Sequence, residues 1–141
     1  MKRFSQILSL VLVFSMVLVL PAMAATGTTR ASDYFGSHSV YMNKVSSTKI
    51  EACFTVTAVG TMDKLGANYI TIQRSADGSN WENVATYTKE AYPSLVRSNA
   101  GIHTGSVSCT YNSNYRYRAY IQFYAKKGTG TGYVSDYSSS I

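Results

Sequence analysis

Between Ile50 and Ala58, apolar Ile50, Ala52, Phe54, Val56 and Ala58 alternate with Glu51, Cys53, Thr55 and Thr57. This is the period of two expected of a strand with one buried face. The same period is clearest near the C-terminal end. Tyr115, Tyr117, Ala119, Ile121, Phe123 and Ala125 form one face there, and Arg116, Arg118, Tyr120, Gln122, Tyr124 and Lys126 form the other. The first set is expected to pack inward and the second to stay wet. Shorter runs at 37–44, 69–74, 81–88, 106–111 and 133–138 bring the expected count to seven strands. Residues 60–66, the Asp77-Gly78 loop at 75–80 and the glycine-rich stretch 127–132 read as turns, because they hold the residues that tolerate positive φ. From 89 to 102 the alternation dissolves around Pro93, Asn99 and Gly101, which predicts an irregular connection with one short helical turn. Seven short strands with turns at these intervals predict an all-β fold, a seven-stranded antiparallel β-sandwich of two packed sheets.

The leading segment follows a different pattern. Lys2 and Arg3 precede an apolar run at 7–20 interrupted only by Ser9 and Ser15. As a helix this run reaches about two-thirds of the roughly 30 Å hydrocarbon core, which suits an export signal better than an anchor. Pro21 and the small-x-small triplet Ala22-Met23-Ala24 predict cleavage before Ala25. The expected organisation is therefore a signal peptide at 1–24, a small polar leader at 25–32 and one β domain at 33–141. The released product is expected to be secreted, either extracellular or loosely associated with the cell wall, and to leave no membrane segment behind.

Composition agrees with strands rather than helices. After residue 24 the only leucines are Leu65 and Leu95, set against 12 tyrosines. The chain carries 13 Lys and Arg against 7 Asp and Glu, a net charge of +6, and removal of Lys2 and Arg3 lowers that surplus. So weak a basic balance argues against a dedicated nucleic-acid binder.

Catalytic and cofactor signatures are scarce. His38 and His103 stand alone, without metal-ligand spacing, and no nucleophile elbow or phosphate loop occurs. The expectation is no metal, no cofactor and no enzymatic activity. An alternative is a small secreted hydrolase using the carboxylates in or beside turns: Asp63, Asp77, Glu82, Glu90 and Asp136. Ser75-Ala-Asp-Gly-Ser-Asn-Trp81 is reminiscent of the aspartate box of sialidase propellers, but it occurs once and lacks the residue between Asp and Gly. Trp81 reads as a plug over the hairpin end. Two cysteines in an exported chain predict a Cys53–Cys109 disulfide, with two buried free thiols as the alternative. Cys53 falls in phase with Glu51 and Thr55 but Cys109 with Val107 and Tyr111, so a bridge needs an intervening bulge.

The run Ile70-Thr-Ile-Gln-Arg-Ser-Ala-Asp-Gly-Ser-Asn-Trp-Glu-Asn-Val-Ala-Thr86 resembles the central hairpin of bacterial fibronectin type III modules. Tyr115-Arg-Tyr-Arg-Ala-Tyr-Ile121 is similar to that family's tyrosine-bearing sixth strand. The likeness spans roughly 48–138 and implies a fibronectin type III or immunoglobulin-like sandwich. The chain departs from it in lacking a tryptophan on the second strand and a proline-rich start, and in having two cysteines. The mature chain also resembles an uncharacterised family of small secreted proteins from Gram-positive bacteria, a domain of unknown function. That likeness implies export and a compact β domain but no activity.

In a fibronectin-like order the two cysteines lie on adjacent strands, the second and fifth, and the sixth strand lies beside the third. Tyr69, Thr71 and Gln73 would then share an outer face with Arg116, Arg118, Tyr120, Gln122 and Tyr124. Rings with polar tips suit glycans or an extracellular protein, and guanidiniums suit anionic cell-wall polymers. The expected function is a non-catalytic binding or structural module acting through this face. The bland reading of the same residues is a set of cross-strand pairs stiffening a solvated surface.

Overall fold

The computed structural model describes residues 30–141. The expected signal peptide and its cleavage point lie outside the described residues, as does most of the leader. The end of the leader enters a short 3-10 turn at Ala31–Asp33, where Asp33 accepts from the Arg30 amide at 2.8 Å.

Six strands follow: β1 (Phe35–Lys44), β2 (Lys49–Ser75), β3 (Glu82–Thr88), β4 (Val96–Thr110), β5 (Arg116–Lys127) and β6 (Gly130–Tyr137). All pair antiparallel, in the order β1-β2-β5-β6, with β3 and β4 also paired to β2. Pro93–Leu95 forms one 3-10 turn inside the connection where one was expected.

Among the described residues the strand count is six rather than seven, because residues 60–66 do not break the chain into two strands. They lie inside β2, where Lys64, Leu65 and Gly66 pair with both β4 and β5. The turn signal marks a bend instead. There β2 advances from Thr57 to Met62 while β4 advances only from Ile102 to Ala100. The surplus bulges out, and Gly60 takes a φ of 84°, a left-handed conformation that costs a residue without Cβ nothing.

The bend gives β2 two sets of neighbours. Its first half pairs with β1 and β4, and its second half with β3, β5 and the start of β4. The sheet curls accordingly. His38 of β1 and Phe54 of the first half of β2 meet the Phe123 ring of β5 at 5.2 and 5.8 Å between centroids. Ile50, Ala52, Phe54 and Val56 thus face Ala119, Ile121, Phe123 and Ala125 within one core, all of them buried. A second bulge, at Asn68, corrects the phase of β2. Leu65 and Ala67 pair with Ala125 and Phe123, while Ile70 and Ile72 pair with Ile121 and Ala119, so all four point inward despite their change of parity.

β4 begins at Val96, well before the expected start at Ser106. It pairs only with β2, and most of its first residues are solvent-exposed, so no apolar alternation is needed there. The glycine stretch is likewise mostly strand. Only Gly128 and Thr129 separate Lys127 from its partner Gly130. Tyr34 lies against Gly130 and Gly132, where a Cβ would come within 2.2 and 2.5 Å of its hydroxyl and ring.

The expected disulfide is absent: Cys53 and Cys109 are both free. The register explains why. Cys53 lies opposite Ser106 and Cys109 opposite Ile50, with no shift in pairing between Lys49 and Thr57. The two thiols therefore sit on opposite faces of the ladder, and no bulge brings them together. Cys53 donates to Glu51 Oε2 at 3.7 Å. Burial, then the Glu51 charge, pushes its thiol pKa up, and burial alone raises that of Cys109.

Candidate binding face

β5 is the axis of the outer face. Its odd positions from Tyr117 to Ala125 are buried, which leaves Arg116, Arg118, Tyr120, Gln122, Tyr124 and Lys126 on the far side. Ladder pairing places Gln73 beside Arg118, Thr71 beside Tyr120 and Tyr69 beside Gln122. The Asn68 bulge is what aims Tyr69, Thr71 and Gln73 outward. On the other flank of β5, Tyr137 lies opposite Tyr120 and Tyr133 opposite Tyr124.

The rings form two groups. Tyr120 meets Tyr69 at 5.9 Å and Tyr137 at 4.7 Å between centroids. Tyr124 meets Tyr133 at 5.6 Å, with Lys89 Nζ 5.0 Å above its ring. Amides knit the strands between them: Asn68 donates to Gln122 at 2.7 Å, and Lys89 donates to Asn68. Partial burial, followed by a hydrogen bond with Tyr120, raises the pKa of the Tyr69 hydroxyl and keeps it a neutral phenol.

Arg118 is the centre of the first group. Its guanidinium lies 4.2 Å from the Trp81 ring and 4.6 Å from the Tyr137 ring, so it is flanked from the β3 side and from the β6 side. Its Nε donates to Gln73 Oε1 at 2.8 Å, and Gln73 in turn donates to Asn83 Oδ1 at 2.8 Å. The stacking and the Nε bond fix the plane of the group.

The structure thus gathers Tyr69, Gln73, Arg118 and Tyr120 into one cluster and places Tyr124 in its neighbour. Arg116 stands apart, laid along the turn at Gly78 with its Nη1 3.1 Å from where a Cβ of that residue would be. The sequence reading missed Trp81, Tyr133, Tyr137 and Lys89. Trp81, at the end of the β2–β3 hairpin, stacks on Arg118. The two β6 tyrosines follow from a two-residue turn at Gly128-Thr129, which treating 127–132 as one long turn conceals.

Compared with known proteins, the chain matches no family model, no curated protein and no solved structure.

The carboxylates are engaged elsewhere. Asp77 accepts from the amides of Asn80 and Ser79 and from Ser75 Oγ, each at 2.8 Å, which holds its pKa well below the usual carboxylate range. Asp63 caps the Gly128 amide at 2.7 Å, and Asp136 accepts from the Tyr137 amide at 2.8 Å. Glu82 pairs with Arg74, Glu90 with Lys89, and Glu51 accepts from Ser106. A shallow open cleft of about 380 Å³ beside Trp81 is lined by Arg74, Asp77, Glu82 and Tyr115. Both of its carboxylates have these prior partners. His103 Nε2 lies 3.0 Å from the Ser94 carbonyl, and no three metal-ligating side chains cluster among the described residues.

Proposed function

We propose that the chain is a secreted, non-catalytic binding module with the seven-stranded fibronectin type III-like sandwich architecture. In this reading the two halves of β2 serve as separate strands. One layer is then β1, the first half of β2 and β4, and the other is β3, the second half of β2, β5 and β6. Two further features support it: the Asp77-Gly78 turn between β2 and β3, and the Tyr117 hydroxyl, which accepts from the Asn112 amide at 3.2 Å in the manner of a tyrosine corner.

The ligand surface is the outer face of β5, and its partner is a cell-wall polymer, a glycan or an extracellular protein. The observation that carries this is the fixed cluster of Trp81, Arg118, Tyr137, Tyr120 and Tyr69, which offers flat apolar rings with polar edges at low entropic cost of ordering. The engagement of every carboxylate in caps or pairs favours binding over hydrolysis. Export before Ala25 would deliver the domain to such partners.

The test is retention of the secreted mature domain on isolated cell-wall material. Replacing Tyr120 and Tyr124 together by Ala leaves the melting curve near that of the parent and weakens retention. Unchanged retention overturns the proposal.

A further inference from the structure

Among the described residues the outer face carries its cations along β5, and its carboxylates, Asp77, Glu82 and Glu90, stand at the margins. Arg116, Arg118 and Lys126 project from β5, and Lys64, paired with Lys126, joins them from β2. Among the described residues the ion pairs bordering this face lie at its margins: Lys89 with Glu90, and Arg74 with Glu82 in the cleft beside Trp81. Lys64 donates instead to the Ser98 hydroxyl at 2.9 Å.

Arg118 is the unusual member. Its guanidinium is held by two rings and an amide rather than by a carboxylate among the described residues. The amide takes only Nε. Among the described residues no carboxylate or carbonyl accepts from the two terminal amines. What remains is a planar fork of donors, fixed in orientation and uncompensated in charge, at the centre of a tyrosine surface.

Resting on the reading of this face as a ligand surface, we infer that Arg118 is an anion-binding fork, and that its ligand is an acidic glycan whose pyranose rings carry carboxylates. The fork geometry matches a carboxylate bidentately. A carboxylate attached to a sugar ring brings that ring beside Tyr137, Tyr120 and Trp81, so the ion pair and the stacking form together. A phosphodiester polymer of acyclic units supplies the charge without a ring to stack. Lys64 with Lys126, at the far end of β5, provides positive charge for a chain of such residues lying along the strand.

Trp81 is the only tryptophan in the sequence, so its emission reports on this site directly. The experiment titrates the mature chain with trigalacturonate, with a neutral trisaccharide and with a glycerol-phosphate polymer, following Trp81 fluorescence and heat of binding. Trigalacturonate is expected to shift the emission saturably and to bind about tenfold or more tighter than the neutral sugar. Added salt weakens the acidic ligand but not the neutral one. Arg118→Lys retains the charge and loses the fork, and it weakens trigalacturonate by about tenfold, so that the preference over the neutral sugar narrows. Equal affinity for the acidic and neutral sugars, or an Arg118→Lys variant with parental affinity, overturns the fork and leaves the stacking face standing. Equal binding of the glycerol-phosphate polymer overturns the assignment to a ring-borne carboxylate. Binding of none of the three by folded protein overturns the inference, and retention on cell-wall material then decides separately whether the face binds at all.

Discussion

The Tyr117 hydroxyl accepts a hydrogen bond from the backbone amide of Asn112 at 3.2 Å, so the first buried side chain of β5 also ties down the connection that leads into the strand. Tyr117→Phe removes this bond alone and is expected to cost about 1 kcal/mol. Tyr117→Ala also empties the site between Tyr111 and the core and is expected to cost roughly 3 to 5 kcal/mol. Urea unfolding of both variants gives the two values. A Tyr117→Ala midpoint equal to the parent's would mean that this face does not pack inward.

Phe123 is the point where the two halves of the curled sheet meet, against His38 and Phe54. Phe123→Ala is expected to cost roughly 3 to 5 kcal/mol, read as a fall in melting temperature. On the opposite face of the same strand, Gln122→Ala loses only the bond from Asn68 and is expected to cost about 1 kcal/mol or less.

Two glycines of β2 are expected to resist substitution for different reasons. At Gly66 a Cβ would lie 2.0 Å from the Leu95 carbonyl oxygen and 2.8 Å from the Val96 Cα, both backbone atoms that cannot rotate away. Gly66→Ala should cost more than about 4 kcal/mol or abolish accumulation of folded protein. Gly60 has open space around it but a φ of 84°, so Gly60→Ala should cost only about 1 to 2 kcal/mol. Comparing the two midpoints in urea separates steric exclusion from backbone strain.

Both thiols should be free in purified protein, which non-reducing mass spectrometry reads directly. Under native conditions the half-buried Cys109 should alkylate before Cys53, and both slowly, because their raised pKa values keep the thiolate scarce. A Cys53→Ala, Cys109→Ala double variant should keep its fold, without the 2 to 5 kcal/mol loss that roughly accompanies removal of a native bridge.

Acid should destabilise the protein in two stages. Burial lowers the pKa of His103, so the unfolded chain takes up that proton first and stability begins to fall as pH drops below about 6.5. Asp77 is depressed in the folded state by the amides of Asn80 and Ser79. Its contribution is present above about pH 4 and is lost as pH falls through the folded value. Melting curves from pH 8 to 2 should show both stages. His103→Gln should remove the first and Asp77→Asn should flatten the second.

Much of the sheet was legible where a local pattern and a tertiary role coincide. The inward set of β5 is written in the alternation from Tyr117 to Ala125 because one strand face meets the core along its whole length. The helical turn at Pro93–Leu95 was legible for a similar local reason. The continuity of β2 was not. Gly60 and Gly66 look alike in sequence, yet one bends the strand and the other is pressed against Leu95. The Cys53–Cys109 pairing failed because an even cysteine count says nothing of ladder register, whereas the parity mismatch visible in the sequence did carry that information. Half of the candidate face was legible from β5 and β2. Trp81, Tyr133 and Tyr137 were not, since they join it through the pairing of β6 with β5 and through stacking across strands.

The bend that lets β2 serve both halves of the sheet also sets the order in which synthesis can complete the fold. β2 emerges early, yet the edge of its first half that pairs with β4, and the edge of its second half that pairs with β5, stay unpaired until those later strands are made. Until then only β1 and β3 can flank it, and a long apolar strand edge stays open to any neighbouring chain. A product truncated before β5 would therefore be a template for aggregation rather than a smaller folded protein.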